Sequence, residues 1–189
     1  MEAFSDGVLA IIITLMVIEM EPPHEATLAA LGQVWHQFLV YILSFGYLGI
    51  YWNNHHHLLQ AAQRVNGRIL WANLHLLFWL ALVPYTTNWV SDTEFAEVPV
   101  AAYGVVLLGA ALAYYILTHS LMSHHGKESD LARAVGDDWK GKASLLVYVA
   151  GTVLALWFPK IAFALYAAIG LVWFIPDRRI ERVLEGKAK

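Results

Sequence analysis

Cysteine is absent from this sequence, and its absence removes several kinds of site at once. Disulfide bonds, thiolate nucleophiles, iron–sulfur clusters and thiolate zinc sites all require cysteine, so none of them is expected. The signatures of hydrolases and transferases, such as a nucleophile elbow or a phosphate-binding loop, are missing too. We therefore assign no catalytic residue and expect the protein not to be an enzyme.

Charged residues are scarce as well. Only 14% of the 189 residues are charged, whereas 59% are hydrophobic, and the mean hydropathy is +0.53. This composition lies outside the range of ordinary soluble domains and is typical of a protein embedded in membrane lipid. The 12 Lys and Arg nearly balance the 15 Asp and Glu. Nucleic acid is therefore not an expected partner, because a protein that binds nucleic acid needs a strongly basic surface.

Long apolar runs are what the sequence has instead. A helix of about 20 residues crosses a hydrocarbon core of about 30 Å, and six runs approach or exceed this length. We predict a single all-α integral membrane domain, residues 1–189, with six transmembrane helices. The runs are residues 3–20, 34–58, 68–91, 97–123, 142–158 and 161–176.

Two of the boundaries need an argument. Residues 142–176 are too long for one span, so we expect a tight turn at Pro159-Lys160. A signal peptide would begin with basic residues, whereas this chain begins with Glu2 and Asp6, so we expect residues 3–20 to be a retained span.

Lys and Arg predict the orientation, because cytoplasmic loops are enriched in both. With six alternating spans, only Lys160 falls on the outer side, and the outer loops are acidic. We therefore expect both termini to be cytoplasmic. The basic residues on the predicted cytoplasmic side are Arg64, Arg68, Lys127, Arg133, Lys140, Lys142, Arg178, Arg179, Arg182, Lys187 and Lys189.

The first span differs from a simple anchor, because polar residues Ser5 and Asp6 open a helix that is uncharged from Gly7 to Ile18. In an ordinary lipid-facing helix, Asp6 would be an N-terminal cap for the first free backbone amides. In a functional helix, a stripe at spacings of three and four residues would face a partner or a pore. That stripe consists of Gly7, Ile11, Thr14, Leu15 and Ile18.

Two segments resemble a known family. Residues 1–15, MEAFSDGVLAIIITL, resemble the first helix of the transmembrane protein 175 family, potassium channels of bacterial membranes and animal endolysosomes. Residues 52–57, WNNHHH, are similar to the aromatic, Asn and His cluster of the same family, and the number and order of spans agree. The family motif begins with an Arg four residues before the Phe, a position that would precede Met1.

The resemblance implies a homotetramer in a bacterial plasma membrane, with the first helix of each chain lining a central pore for K⁺. It places the narrowest point at Ile11 and ion selectivity at Thr14, with Leu15 and Ile18 as further apolar layers. Apart from the permeant K⁺ and membrane lipid, it implies no ligand, cofactor or metal site. The motif and supporting network that it implies comprise Phe4, Ser5, Asp6, Trp52, Asn53, His56 and His75, with Ser5, Asp6 and His75 in contact.

Two points stay open at the level of sequence. Glu19 and Glu21 lie near the outer mouth, where they either attract cations or simply mark the end of the helix. An alternative function is a membrane metal- or haem-binding protein, because imidazoles on separate helices bind zinc, copper or haem. It depends on the histidines toward the cytoplasmic side, which are His55, His56, His57, His75, His119, His124 and His125.

Overall fold

The computed structural model describes residues 1–62, 64–126 and 139–174. Within them the chain forms eight α-helices and no β-strand, which confirms the all-helical prediction. A helix covers most of each of the six apolar runs. The helices are α1 (Glu2–Ile18), α2 (Leu28–Gln33), α3 (Trp35–Ala61), α4 (Gly67–Ala81), α5 (Val83–Asp92), α6 (Glu97–His125), α7 (Trp139–Ala155) and α8 (Pro159–Phe174).

The third apolar run forms two helices, where one was expected. α4 ends at Ala81 and α5 begins at Val83, with Leu82 between them. The cause is Pro84, because proline has no N–H to donate and its ring clashes with the carbonyl group four residues earlier in a continuous helix. The Thr86 hydroxyl lies 3.2 Å from both Leu82 O and Val83 O, so it bonds back to the start of α5, where the Thr86 N–H also donates to Leu82 O at 3.1 Å.

The turn between α7 and α8 precedes Pro159, whereas the sequence predicts it at Pro159-Lys160. α7 ends at Ala155, and Pro159 is the first residue of α8. Proline suits this position because its fixed φ is helical and its missing N–H would have no partner within the helix.

Length and composition alone identify two of the described segments as able to cross a membrane. They are Gly67–Asp92, which combines α4 and α5, and Glu97–His125. α8 is apolar but shorter, with 16 residues, and α1 has 17. A membrane crossed by six helices therefore stays a prediction.

The predicted orientation also stays a prediction. Of the 11 basic residues assigned to the cytoplasmic side, the described part of the chain contains Arg64, Arg68, Lys140 and Lys142. The remaining seven lie outside the described residues: Lys127, Arg133, Arg178, Arg179, Arg182, Lys187 and Lys189.

α6 is the central helix of the bundle. It packs against α4, α5, α7 and α8. The described residues form two hydrophobic cores, one that includes Leu9 and Leu76 and one that includes Tyr103 and Tyr166, and α6 contributes buried side chains to both. Among the described helices, α1 packs mainly against α3, α4 and α5. The fold therefore holds α1 at its edge, with one face in the core and the other face outside it.

Candidate functional site

α1 has a buried face that anchors it to the rest of the chain. Ser5, Leu9, Ile12 and Met16 are each at most 4% exposed. Their spacing of four, three and four residues places them on one stripe of the helix. Leu9, Ile12 and Met16 join a core that includes residues of α3, α4 and α6. This stripe fixes which residues of α1 face outward.

The exposed face of α1 is the stripe that the sequence predicts as pore-lining. Ile11 is 61% exposed, Leu15 42% and Ile18 73%, and Gly7 and Thr14 are exposed as well. At 100° per residue, the centre of this face lies about 150° around the helix from the buried stripe. A contiguous apolar face of this kind marks an interaction surface or a lipid contact.

Thr14 is the one hydroxyl on that face. Its Oγ1 lies 3.1 Å from Ala10 O and 2.9 Å from Ile11 O, so its O–H donates back into its own helix. A hydroxyl has two acceptor lone pairs besides its one hydrogen. Because the hydrogen is used within the helix, the oxygen presents acceptor lone pairs to whatever lies against this face.

A buried hydrogen-bonded chain ties the start of α1 to α4 and α3. Asn73 Nδ2 donates to Ser5 Oγ at 2.9 Å, and Ser5 Oγ lies 3.2 Å from Met1 O. Asn73 Oδ1 lies 2.7 Å from His55 Nε2, so that nitrogen carries the hydrogen. Ser5, Asn73 and His55 are each at most 2% exposed. The polar entry into α1 is therefore fixed by two other helices.

One expectation about this region is wrong, and one alternative is excluded. The expected contact of Ser5 and Asp6 with His75 does not form within the described chain: Ser5 bonds to Asn73, Asp6 bonds to Trp52, and His75 Nε2 accepts the hydrogen bond of Trp79 Nε1–H at 2.9 Å. Asn73, on the same helix, takes the position expected for His75. The alternative in which Asp6 caps the helix of a simple anchor is excluded, because α1 begins at Glu2 and Met1 is its N-cap residue.

A second set of contacts lies beside this chain, between α1 and the end of α3. Trp52 Nε1–H donates to Asp6 Oδ1 at 3.0 Å. The Trp52 ring stacks on the His56 ring, with centroids 5.8 Å apart. His56 Nδ1 lies 3.0 Å from Glu2 Oε1. The structure thus brings together three of the residues implied by the resemblance, and it adds Glu2, which sequence reasoning did not select.

The remaining predicted site residues lie apart from these contacts. Phe4 is 58% exposed. Asn53 is partly buried and has no side-chain hydrogen bond within residues 1–62, 64–126 and 139–174. Glu19 and Glu21 are exposed at the other end of α1, where the Glu19 backbone N–H closes the helix on Leu15 O and Val17 O.

The sequence contains a signal that would have selected Asn73. Ile69, Leu76 and Leu80 repeat with helical spacing and are each at most 1% exposed, and Asn73 falls on the same stripe. A polar residue on the inward stripe of an apolar helix usually finds a polar partner. His75 lies off this stripe and is only partly buried.

We expect Asn73→Leu to destabilise the protein more than His75→Leu. Leucine at position 73 leaves Ser5 Oγ and His55 Nε2 buried without their partner, which costs about 2 kcal/mol. The midpoint of thermal unfolding in detergent should fall by about 4–8 °C. The His75 side chain makes one hydrogen bond, to Trp79 of the same helix, and the loss of this bond should lower the midpoint by less than about 3 °C. A larger shift for His75→Leu would contradict the assignment.

The seven histidines of the alternative function do not form a common site. His124 Nδ1 and His125 Nε2 contact Asn66 and the Arg64 N–H at 3.2 Å each, near the start of α4. His119 Nδ1 contacts Tyr115 O, within α6. Across the described ranges, the one group of three or more possible metal ligands contains a single histidine.

Comparison with known proteins identifies close relatives. The family model for the endosomal/lysosomal potassium channel TMEM175 matches residues 1–84. A potassium channel from Chryseobacterium sp. is 49% identical over 185 residues, which cover 98% of this chain and 96% of the relative. A potassium channel from Streptomyces collinus is 35% identical over 124 residues, which cover 61% of this chain and 60% of the relative.

A solved structure shares the fold. The crystal structure of a lysosomal potassium-selective channel TMEM175 homolog from Chamaesiphon minutus superposes with a TM-score of 0.81. The match covers 93% of this chain and 95% of that one, at 22% sequence identity. The shared fold and the relative that is 49% identical over nearly the full length both agree with the similarity of the first helix to this family. This chain therefore belongs to the TMEM175 family of potassium channels.

Proposed function

We propose that four copies of this potassium channel surround one pore in a bacterial plasma membrane and that α1 of each copy lines it. Each copy would cross the membrane six times, with both termini in the cytoplasm. The observation that supports this arrangement is the exposed face of α1, where Ile11 and Ile18 are 61% and 73% exposed in a single chain. One helix cannot enclose a conduit, and closed rotational symmetry supplies the missing walls with identical surfaces.

The exposed stripe would form successive rings around the pore axis. Four copies of Ile11 would make the narrowest ring. This apolar constriction would close to ions when water leaves it, which is gating by dewetting. Thr14 would add a ring of oxygens about 4.5 Å further out, at 1.5 Å rise per residue. Leu15 and Ile18 would add further apolar layers toward the outer side.

Selectivity would come from dehydration. An ion that passes an apolar ring sheds part of its water, and this costs less for K⁺ than for the smaller Na⁺. The Thr14 oxygens would replace part of the lost water, because their hydrogens are already bonded within α1. Glu19 and Glu21 are exposed where α1 ends, so they would attract cations to the outer mouth.

The hydrogen bonds at the start of α1 would support the gate and not take part in permeation. Ser5 is bonded to Asn73 of α4, and Asp6 is bonded to Trp52 of α3. A helix that is held at one end by two neighbours keeps its exposed stripe turned toward the axis. Removing these contacts would therefore loosen the alignment of Ile11 without removing any group from the pore.

The alternative function has no comparable support. The matched family and relatives are described as potassium channels. The histidines of the alternative are distributed over α3, α4 and α6, and several use their ring nitrogens in hydrogen bonds within the chain. No haem or catalytic metal site is proposed.

The test of the proposed function is ion flux into liposomes that contain the purified protein. We expect K⁺ to enter faster than Na⁺, and Cl⁻ to be excluded. Light scattering or a K⁺-sensitive dye measures the rate, with liposomes lacking protein as the control. The mass in detergent should be about four times the 21.2 kDa of one chain.

Three outcomes would contradict the proposal. Flux equal to that of empty liposomes would exclude a conducting pore under these conditions. Equal rates for K⁺ and Cl⁻ would exclude the proposed selectivity. A mass of one or two chains would exclude the fourfold arrangement while leaving the flux result valid.

A further inference from the structure

Glu2, Asp6 and His56 form a cluster whose chemistry the pore does not use. Glu2 and Asp6 lie four residues apart on α1, so their side chains share one face of that helix. His56 reaches them from the end of α3. One ligand atom from each residue lies within 4.8 Å of the other two. All three side chains are partly exposed, while His56 Nδ1 itself is buried against Glu2.

We propose that these three residues bind a divalent transition-metal ion, with Zn²⁺ as the representative, and that the ion ties the start of α1 to α3. One carboxylate from each acid and one imidazole nitrogen are ligands that Zn²⁺ accepts. A water molecule would complete four-coordination. This ion is neither the permeant ion nor part of the pore, and the proposal does not depend on the arrangement of four chains.

The contact between Glu2 and His56 has the geometry of two ligands of one ion. His56 Nδ1 lies 3.0 Å from Glu2 Oε1, yet this buried nitrogen has no aligned hydrogen bond. Zn²⁺ holds imidazole nitrogen and carboxylate oxygen at about 2.1 Å, and two such ligands at 90–110° are roughly 3.0–3.4 Å apart. The observed separation therefore fits an ion placed between these two atoms. A side-chain rotation of Asp6 brings in the third ligand.

The charges of the cluster also favour a divalent ion. Two carboxylates lie close together here, and a protonated His56 would neutralise only one of them. Within the described residues, the one salt bridge to either carboxylate comes from His56. A divalent ion neutralises both carboxylates and leaves His56 neutral, which is the form that binds metal.

The neighbours of the cluster resemble the outer shell of a metal site. Ligating carboxylates and histidines are usually held by further hydrogen bonds, which fix their orientation. Trp52 Nε1–H holds Asp6 Oδ1 at 3.0 Å, which leaves the second oxygen of Asp6 for the ion. The nitrogen of the Gln60 side-chain amide lies 2.8 Å from His56 Nε2. The two ends of an amide are assigned from their hydrogen bonds, and with this amide flipped its oxygen would accept from His56 Nε2–H and leave the Nδ1 lone pair for the ion.

The alternative to be excluded is a simple ion pair between Glu2 and a protonated His56. The test uses the full chain, purified in detergent and stripped of metal with a chelator. Zn²⁺ binding is measured by titration calorimetry, and Co²⁺ is added separately to record the visible absorption of the bound ion. We expect one ion per chain and no displacement of Zn²⁺ by millimolar Mg²⁺, because imidazole is a poor ligand for Mg²⁺.

Variants separate the two interpretations. Glu2→Gln and His56→Gln should each weaken Zn²⁺ binding by at least tenfold and abolish the Co²⁺ absorption. Gln60→Leu keeps all three ligands and should weaken binding about tenfold through lost orientation of His56. His119→Gln is the matched control, because it removes an exposed imidazole on α6 and should bind Zn²⁺ like the unchanged protein.

Each outcome decides the question. No saturable Zn²⁺ binding would establish the ion pair alone and overturn the proposal. Binding that survives both Glu2→Gln and His56→Gln would place the ion elsewhere and also overturn it. If His56→Gln fails to fold, the partly exposed Glu2 and the exposed Gln60 still give informative variants. The measurement contains no flux step, so a failed flux assay would not bear on it.

Discussion

Replacing Ile11 with asparagine is expected to raise K⁺ flux at least about tenfold and to lower the preference for K⁺ over Na⁺. In the proposed pore, four Ile11 side chains form the apolar ring that ions cross with the greatest loss of water. An amide at each position keeps water in the ring and donates and accepts hydrogen bonds. A barrier lowered by about 1.4 kcal/mol gives a tenfold faster rate.

Selectivity should fall for the same reason. If ions pass the ring with more of their water, the difference in dehydration between K⁺ and Na⁺ contributes less to the barrier. The measurement is single-channel conductance in lipid bilayers, together with the reversal potential under opposed K⁺ and Na⁺ gradients. The unfolding temperature should change little, because Ile11 is 61% exposed and lies outside the core of one chain.

The matched control is Ile161→Asn. Ile161 is 55% exposed near the start of α8, so it receives the same chemical change on another exposed helical surface. Its conductance and reversal potential should equal those of the unchanged protein. Unchanged currents in Ile11→Asn, or equal changes in both variants, would mean that the gate lies elsewhere.

The two faces of α1 explain how much of the site could be predicted from sequence. Helical periodicity is a local property, so the spacing of Ile11, Thr14 and Ile18 places them on one face before any contact is known. The structure leaves that face exposed and buries the stripe of Leu9 and Ile12. Apolar length is also local, and a helix therefore covers most of each apolar run.

Partners across helices could not be predicted in the same way. Which residue of α4 meets Ser5 depends on the rotation of α4 about its axis, and packing on the inward stripe determines that rotation. The family resemblance implied His75, whereas the periodicity of Ile69 and Leu76 favours Asn73. The pairing of Glu2 with His56 has no local signal, because it joins two helices that are distant in sequence.

Pro84 alone is enough to predict the break in the third apolar run. Pro84 removes one backbone donor inside an otherwise continuous apolar run, and this ends or kinks a helix. A prediction from apolar length alone gives one span for this run, because it does not take the effect of proline on a helix into account. The division into α4 and α5 at Leu82 follows from this local property.

Replacing Thr14 with valine is expected to lower the K⁺ to Na⁺ permeability ratio about fivefold while leaving the fold intact. Valine has nearly the shape of threonine, so the change removes the hydroxyl and preserves the packing. In the proposed pore, four oxygens that compensate for lost water disappear. An effect of about 1 kcal/mol on the difference between the ions, the size of one typical hydrogen bond, corresponds to about fivefold.

Thr14→Ser is the control that isolates the oxygen. Serine keeps a hydroxyl that can donate to Ala10 O or Ile11 O, as Thr14 does, and its oxygen would still accept toward the axis. The permeability ratio of Thr14→Ser should therefore stay near that of the unchanged protein, although the ring loses four methyl groups. If both variants lose selectivity equally, the width of the ring and not its oxygens sets the preference. If Thr14→Val stays selective, the apolar ring of Ile11 suffices by itself.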